Sequence, residues 1–485
     1  MGLKKNFIYN IILASANNLF PIIVFPYVSR CIGVYNIGIY NFTDNVILYF
    51  TMLSMMGMGI LGIREIAAVQ NDRNKLNNIF SNLVYLNFIF TLLSITTLII
   101  CINCIQQLYQ HRQIMYIGCF NIAANFLLLD WMYKGLEKFA YITKRTLLIK
   151  TIYVASVFLF IHEPQDYILY YLLTTLSVAI NAAVNIWHSR RYVKLVFNDL
   201  SLSLFFKPFI KTGTYWVITS LYASSYTIYL GFISTPDQIG LFTTASKLII
   251  LIMAVYTAWT NVVLPRSSAL LANGQIAGFR DIVEKSTGVL FTFSIPTALL
   301  GGFFSQDIIK VLAGTGYEGA AISSTILMPL IFIIGYSQIL IIQILMPMKK
   351  DYILLRNALI GAITGISLSL YLVPHYLSVG ASISWLVSEL IVLLLAISYV
   401  PKHIHIHIPW QLFLKYLFGN IPTAIICYVL SQNLSCHSIE KILIGGGIVM
   451  LYTIFIQYLY LKDPMFIQIT QKAKTFLYNH NQKRP

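Results

Sequence analysis

The chain has 485 residues, 58% of them hydrophobic and 10% charged, with 33 Lys and Arg against 17 Asp and Glu for a net charge of +16; its mean hydropathy is +0.73. Soluble domains carry about a quarter charged residues, so this composition excludes a water-soluble protein and leaves an integral membrane protein. No stretch is polar enough for a separate soluble domain.

Apolar segments long enough to cross a hydrocarbon core of roughly 30 Å recur along the whole chain. They predict an all-α polytopic protein with fourteen helices, at 7–29, 39–62, 79–102, 113–132, 147–162, 167–188, 212–233, 241–264, 288–304, 322–346, 357–373, 381–399, 416–432 and 441–460. The first follows Lys4 and Lys5; it is too long for a signal-peptide core and lacks a small-residue cleavage site, so it is expected to be retained, with the N-terminus in the cytoplasm. Its far end reads "FPYVSRCIG", where Pro26 bends the helix and Gly33 and Gly38 permit a tight connection to the second. Arg64 and Asp130 fall at the inner ends of the second and fourth helices, where anchoring at the interface is the expected role.

With the N-terminus inside, 27 of the 33 basic residues fall in cytoplasmic loops and tails, and both termini are cytoplasmic. The positive charge is thus topology, with attraction to anionic membrane lipids as a by-product. It calls for no nucleic acid. The six cysteines lack disulfide or metal spacing, and Cys101 and Cys104 read as small apolar filler. "HIHIH", His403 to His407, reads as a solvated loop. No metal site, cofactor site or catalytic cluster is expected, and the longest outer connection, 305–321, is too short for the catalytic loop of a membrane glycosyltransferase or polymerase.

A shift of 202 residues lays "IGIYNFTDN" on "IGLFTTASK": Gly38 meets Gly240, Tyr40 meets Phe242, and further along Arg64 meets Arg266. The offset spans six helices, so the copies share one orientation in the membrane. The expected organisation is a six-helix bundle at 1–200, a pseudo-symmetric second at 201–405, two additional helices at 406–460 and a basic cytoplasmic tail at 461–485. Transporters so built place substrate between the halves and alternate access by rocking.

Asp44, Lys247 and Glu389 lie roughly 7, 9 and 12 Å below the outer helix ends. Each costs at least about 2.5–3.5 kcal/mol in lipid, so each should face a cavity or a partner. A structural ion pair and a functional site are both open readings. The same shift puts Asp44 one position before Lys247, so an anionic substrate competing with Asp44 for Lys247 is one expectation. Arg30, on the outer side, either snorkels to lipid phosphates or offers an anion a bidentate contact.

Together "FPYVSRCIG", "GIREIA", "DWMYKGLEKFAYITKR", "GLFTTASKL", "LPRSS" and "QILMPMKKD" resemble the polysaccharide flippases of the Wzx type, in the multidrug/oligosaccharidyl-lipid/polysaccharide exporter superfamily. The resemblance implies translocation of an undecaprenyl-pyrophosphate-linked oligosaccharide (an O-antigen, capsule or other surface-polysaccharide unit) from the inner to the outer leaflet of a bacterial plasma membrane, by alternating access and without enzymatic chemistry. It implies Arg30, Arg64, Lys247 and Arg266 as substrate-binding residues and a polysaccharide polymerase and chain-length regulator as partners; Asp44 and Glu389, charged at membrane depth, are expected to act in coupling or gating, Asp44 at a place where many relatives are expected to carry a neutral residue. A cation-coupled multidrug exporter of the same superfamily is one alternative, and a membrane glycosyltransferase or O-antigen polymerase, disfavoured by the short outer loops, is the alternative from another class. Energy would come from a cation gradient, the membrane potential or product removal.

Overall fold

The structure, a computed structural model of the chain, describes residues 3–197, 200–404 and 409–461. Residues 405–407 of the "HIHIH" stretch and the basic tail from 462 onward therefore lie outside the described residues. In chain order the helices are α1 (Leu3–Met55), α2 (Met58–Val69), α3 (Arg73–Cys104), α4 (Gln106–Gln110), α5 (Arg112–Phe126), α6 (Asp130–Gly135), α7 (Phe139–Phe160), α8 (Tyr167–Ser189), α9 (Leu202–Ile233), α10 (Pro236–Ala272), α11 (Ile276–Phe303), α12 (Ser305–Ala313), α13 (Ala320–Leu327), α14 (Leu330–Gln338), α15 (Asp351–Ile404), α16 (Trp410–Gly419), α17 (Ile421–Asn433) and α18 (Ser438–Ile456). A π-helical segment, Ile339–Leu345, continues α14, and another, Gln457–Leu461, continues α18. Among the described residues there is no strand.

Ten helical stretches of the described residues are long and apolar enough to cross a membrane. Two of them, Phe20–Val69 and Asp351–Lys402, hold 50 and 52 residues, about 75 Å if straight and so far more than one crossing needs. Each contains a residue off helical dihedrals, Gly33 (φ 75°) in α1 and Leu377 (φ 51°) in α15, where two spans join. Every expected helix has a helical counterpart, with the helix expected at 147–162 reaching back to Phe139 as α7 and that at 212–233 back to Leu202 as α9. Large side chains such as Leu159, Leu443 and Leu451 are more than two-thirds exposed. Such a surface belongs in lipid. The chain is a multi-pass membrane protein.

Four expected helices are interrupted, among them the thirteenth, at Asn420 between α16 and α17. The second breaks at Met56 (φ 37°) and the fourth at Leu129 (φ 50°), because a residue in the left-handed region takes the backbone out of the i to i−4 ladder. The tenth divides into α13, α14 and the π segment. The connection after α11 is not bare loop but contains α12.

The chain forms two compact units, one of residues 1–243 with 369–378, the other of 244–368 with 379–485. Within unit 1 the repeat is visible as contact. Gly38 and Gly240, matched by the 202-residue shift, lie against each other: a methyl group on Gly38 would strike the Pro236 carbonyl, and one on Gly240 the Val34 carbonyl. One turn on, the matched pair Asn41 and Thr243 is joined by a buried hydrogen bond, Nδ2 donating to Oγ1 at 3.0 Å. Equivalent residues touching each other is the signature of a local two-fold relation.

At the other end of unit 1, Asp72 caps α3, its Oδ1 accepting from the Asn74 and Lys75 amides at 3.1 Å each. These bonds, the Lys75 amide foremost, hold its carboxyl below the usual carboxylate range. The connection from α8 to α9 is pinned along α3: the amides of Lys194, Val196 and Ser201 donate to Asn77 Oδ1, Ser81 Oγ and Asn82 Oδ1 at 2.7–2.8 Å. This end, with Lys134, Lys138, Arg190, Arg191 and Lys194, is called the basic end below.

Candidate functional site

Arg30 sits on α1 three residues before Gly33. Its Nη1 donates to the Pro26 carbonyl at 2.5 Å, and its side chain is exposed. The neighbouring break is clamped to the α7–α8 connection: Tyr27 Oη donates to the Ile161 carbonyl and Asn36 Nδ2 to the Pro164 carbonyl, each at 2.7 Å. Since α7 is 22 residues long, about 33 Å, Arg30 lies at the end of unit 1 opposite the basic end.

Asp44, half-buried on the second part of α1, interacts electrostatically with Tyr40, Tyr153 and Tyr171. The Tyr40 ring centre lies 4.7 Å from that of Tyr170, tilted, and 5.6 Å from that of Tyr171, edge-on, while Tyr153 Oη lies 3.2 Å from Thr174 Oγ1. The carboxylate thus stands beside an aromatic, hydroxyl-bearing cluster from α1, α7 and α8. Lys150 of α7 is also at membrane depth, with its ammonium 5.8 Å from the Phe20 ring centre. Sequence reasoning placed Lys150 in a helix but gave it no role.

Arg64, on α2 at the basic end, is 65% exposed and its Nη2 lies 2.8 Å from Glu65 Oε1. In unit 2, Arg266 is exposed on α10, Lys247 is half-buried on the same helix, and Glu389 of α15 accepts from Trp385 Nε1 at 3.3 Å. Within unit 1, then, Arg30 and Arg64 are at opposite ends and Asp44 is between them.

A larger concentration of charge and hydrogen bonding escaped the sequence reading. Asp130 is not simply an interfacial anchor. Its Oδ1 accepts from Arg145 Nη2 and from Asn185 Nδ2, both at 3.1 Å. Arg145, whose side chain is only 5% exposed, also donates through Nη1 to Asn185 Oδ1 and through Nη2 to Thr146 Oγ1. Tyr141 Oη donates to Asn185 Oδ1 at 3.2 Å, Tyr133 Oη to the Asn185 carbonyl at 2.7 Å, and Asn185 Nδ2 to the Leu128 carbonyl. His188 stacks on Tyr141 at 3.9 Å and 13°. The sequence signals for it are an Asp and an Arg bracketing "DWMYKGLEKFAYITKR", and Asn181 and Asn185 four apart on α8.

Residues 3–271, more than half of the chain, match the family described as "Polysaccharide biosynthesis protein". The chain belongs to that family. A relative from Escherichia coli K12, named "Putative O-antigen transporter", is 24% identical over 420 residues, covering 83% of this chain and 98% of the relative. Among solved structures the fold resembles the lipid II flippase MurJ in an inward closed conformation, at TM-score 0.78 and 14% identity over 93% of this chain and 99% of that one. It also resembles an inward-facing multidrug resistance MATE transporter, at TM-score 0.62 and 12% identity over 82% and 94%.

Proposed function

We propose that the chain is a flippase carrying undecaprenyl-pyrophosphate-linked oligosaccharide units from the inner to the outer leaflet of a bacterial plasma membrane by alternating access. The observation that carries this reading is the match to nearly the full length of a relative named as an O-antigen transporter, within a polysaccharide biosynthesis family. The likeness to MurJ and the MATE transporter supports the fold alone.

In this reading the basic end faces the cytoplasm, as the distribution of Lys and Arg favours. Arg30, Arg64, Lys247 and Arg266 contact the pyrophosphate or sugars in turn, and Asp44 and Glu389 act in gating or coupling. Arg30 suits an anion because its planar fork donates two hydrogen bonds. Asp44 among tyrosines repels an anion and suits a gate. The polymerase and chain-length regulator that use the flipped units are partners within the same reading.

Deleting the gene in a strain without other flippases tests the function. Lipid-linked units should accumulate facing the cytoplasm and surface polysaccharide should be lost. Delivery to the outer leaflet at an undiminished rate overturns the reading.

A further inference from the structure

One asparagine ties together the segments that meet at the basic end of unit 1. Asn185 of α8 uses its whole amide: Oδ1 accepts from Arg145 and Tyr141 of α7, and Nδ2 donates to Asp130 of α6 and to the Leu128 carbonyl at the α5–α6 break. The element so held, α6, is only six residues long and is bracketed by two non-glycine residues in the left-handed region, Leu129 (φ 50°) and Glu137 (φ 56°). Neither side of α6 continues into a neighbouring helix. Its position depends on side chains.

α2 is joined to α6 by shape. The Trp131 ring of α6 lies over Gly62 of α2, and Ile66 of α2 lies over Gly135 of α6, so that a methyl group at either glycine would collide. α2 has a joint of its own at Met56 (φ 37°), next to Gly57, which abuts Thr212 and Gly213 of α9. Reciprocal interlocking makes α2 and α6 one block with joints at Met56, Leu129 and Glu137.

The tie is also incomplete. Arg145 Nε, Trp131 Nε1 and His188 Nδ1 are all buried with no hydrogen-bond partner.

We infer that Asp130, Arg145 and Asn185 are positioning residues that hold the α2–α6 block as one body and set its place during transport, which rests on the transport reading above. The block carries Arg64, so its displacement moves a proposed substrate contact at the basic end without touching the substrate.

The test is hydrogen–deuterium exchange of the full-length protein in nanodiscs, alongside polysaccharide export in cells, for Asp130→Asn, Arg145→Lys and Tyr141→Phe. The first keeps the shape of the carboxylate, the second the charge without the fork, and the third removes one bond to Asn185. Amides of 58–69 and 130–135 should exchange together about tenfold faster in the first two variants and about threefold faster in the third, with α3 and the rest of α8 unchanged and export reduced at normal membrane abundance. Faster exchange in α6 but not α2 refutes the block. Faster exchange throughout unit 1 reduces the residues to structural glue, and faster exchange of the block with full export removes its role in transport. If the two charge variants fail to accumulate, Tyr141→Phe carries the test. Failure of the transport reading itself shows separately, as undiminished export in the deletion strain, and leaves the exchange result standing.

Discussion

In unit 1 the amide of Asn185 is surrounded by Arg145, Asp130 and Tyr141, whereas in unit 2 the amide of Gln457 meets only hydroxyls, donating to Thr292 Oγ1 at 2.6 Å and Tyr416 Oη at 3.1 Å. Both tie three helical segments together: α6, α7 and α8 in the first case, α11, α16 and the segment after α18 in the second. The chemistry separates them. A guanidinium out of water is tolerable only while its counter-charge and acceptors are present. A hydroxyl–amide cluster loses strength by degrees, because Thr292 and Tyr416 still bond to each other at 3.0 Å if Gln457 is lost. A charged tie therefore behaves as all or none.

The largest effect should come from breaking the charged tie on one side. Asp130→Ala leaves Arg145 buried without its carboxylate, a change worth about 3–5 kcal/mol for a fully buried pair. Asp130 is itself 35% exposed, so water screens part of this and a loss near about 3 kcal/mol is expected, read as a fall in thermal unfolding midpoint in detergent. Replacing Asp130, Arg145 and Asn185 together with Leu, Met and Leu should recover much of that stability. Failure to recover would mean that the bonds are worth more than the desolvation they offset.

Next in size is a contact with no charge at all. Gly38→Val drives a branched side chain into the Pro236 carbonyl, and Gly240→Val into that of Val34. Overpacking of this kind costs typically about 1–3 kcal/mol, with the upper half expected here because both obstacles are backbone. Fluorescence-detected gel filtration of the two variants checks it. Equal losses at the two positions would support the local two-fold relation.

That crossing is legible in the amino-acid sequence. Gly38 and Gly240, Asn41 and Thr243 are matched by one offset, because duplication preserves local sequence and the axis brings equivalent residues together. Hydropathy likewise locates the helices, since lipid imposes a minimum apolar length. The interruptions at Met56, Leu129 and Leu377 are not legible, for these are ordinary helix-compatible residues forced into the left-handed region by their surroundings. Nor is the Asn185 tie, whose members span 58 positions from Leu128 to Asn185 and meet only after four helical segments have packed. Of the proposed site, the sequence supplies the depth of Asp44 but not its tyrosine neighbours, since depth follows from counting along one helix and neighbours do not.

A third measurement sharpens the contrast by coupling energies. Gln457→Ala should cost about 1 kcal/mol, the net worth of an ordinary hydrogen bond, and a double-mutant cycle with Thr292→Val should return a coupling of about 0.5–1 kcal/mol. The corresponding Asp130→Asn and Arg145→Lys cycle should return a clearly larger coupling. Equal couplings would erase the distinction between charged and neutral ties.

The smallest effect on stability is expected at Arg64 and Arg266, and there the comparison turns from stability to transport. Arg64 pairs with Glu65 at 2.8 Å but is 65% exposed, and Arg266 is exposed on α10. An exposed ion pair contributes about 0–1 kcal/mol, so Arg64→Gln and Arg266→Gln should each leave the unfolding free energy within about 0.5 kcal/mol of the parent. If these matched arginines only anchor helix ends at the polar boundary, the double variant will also export polysaccharide normally, since other basic residues at that boundary share the task. If they contact the headgroup of the lipid-linked sugar, export should fall several-fold while folding and abundance do not, because the lost interaction is made with the substrate rather than within the protein. Measuring export and unfolding on the same preparations separates the two, and normal export in the double variant leaves only the anchoring role.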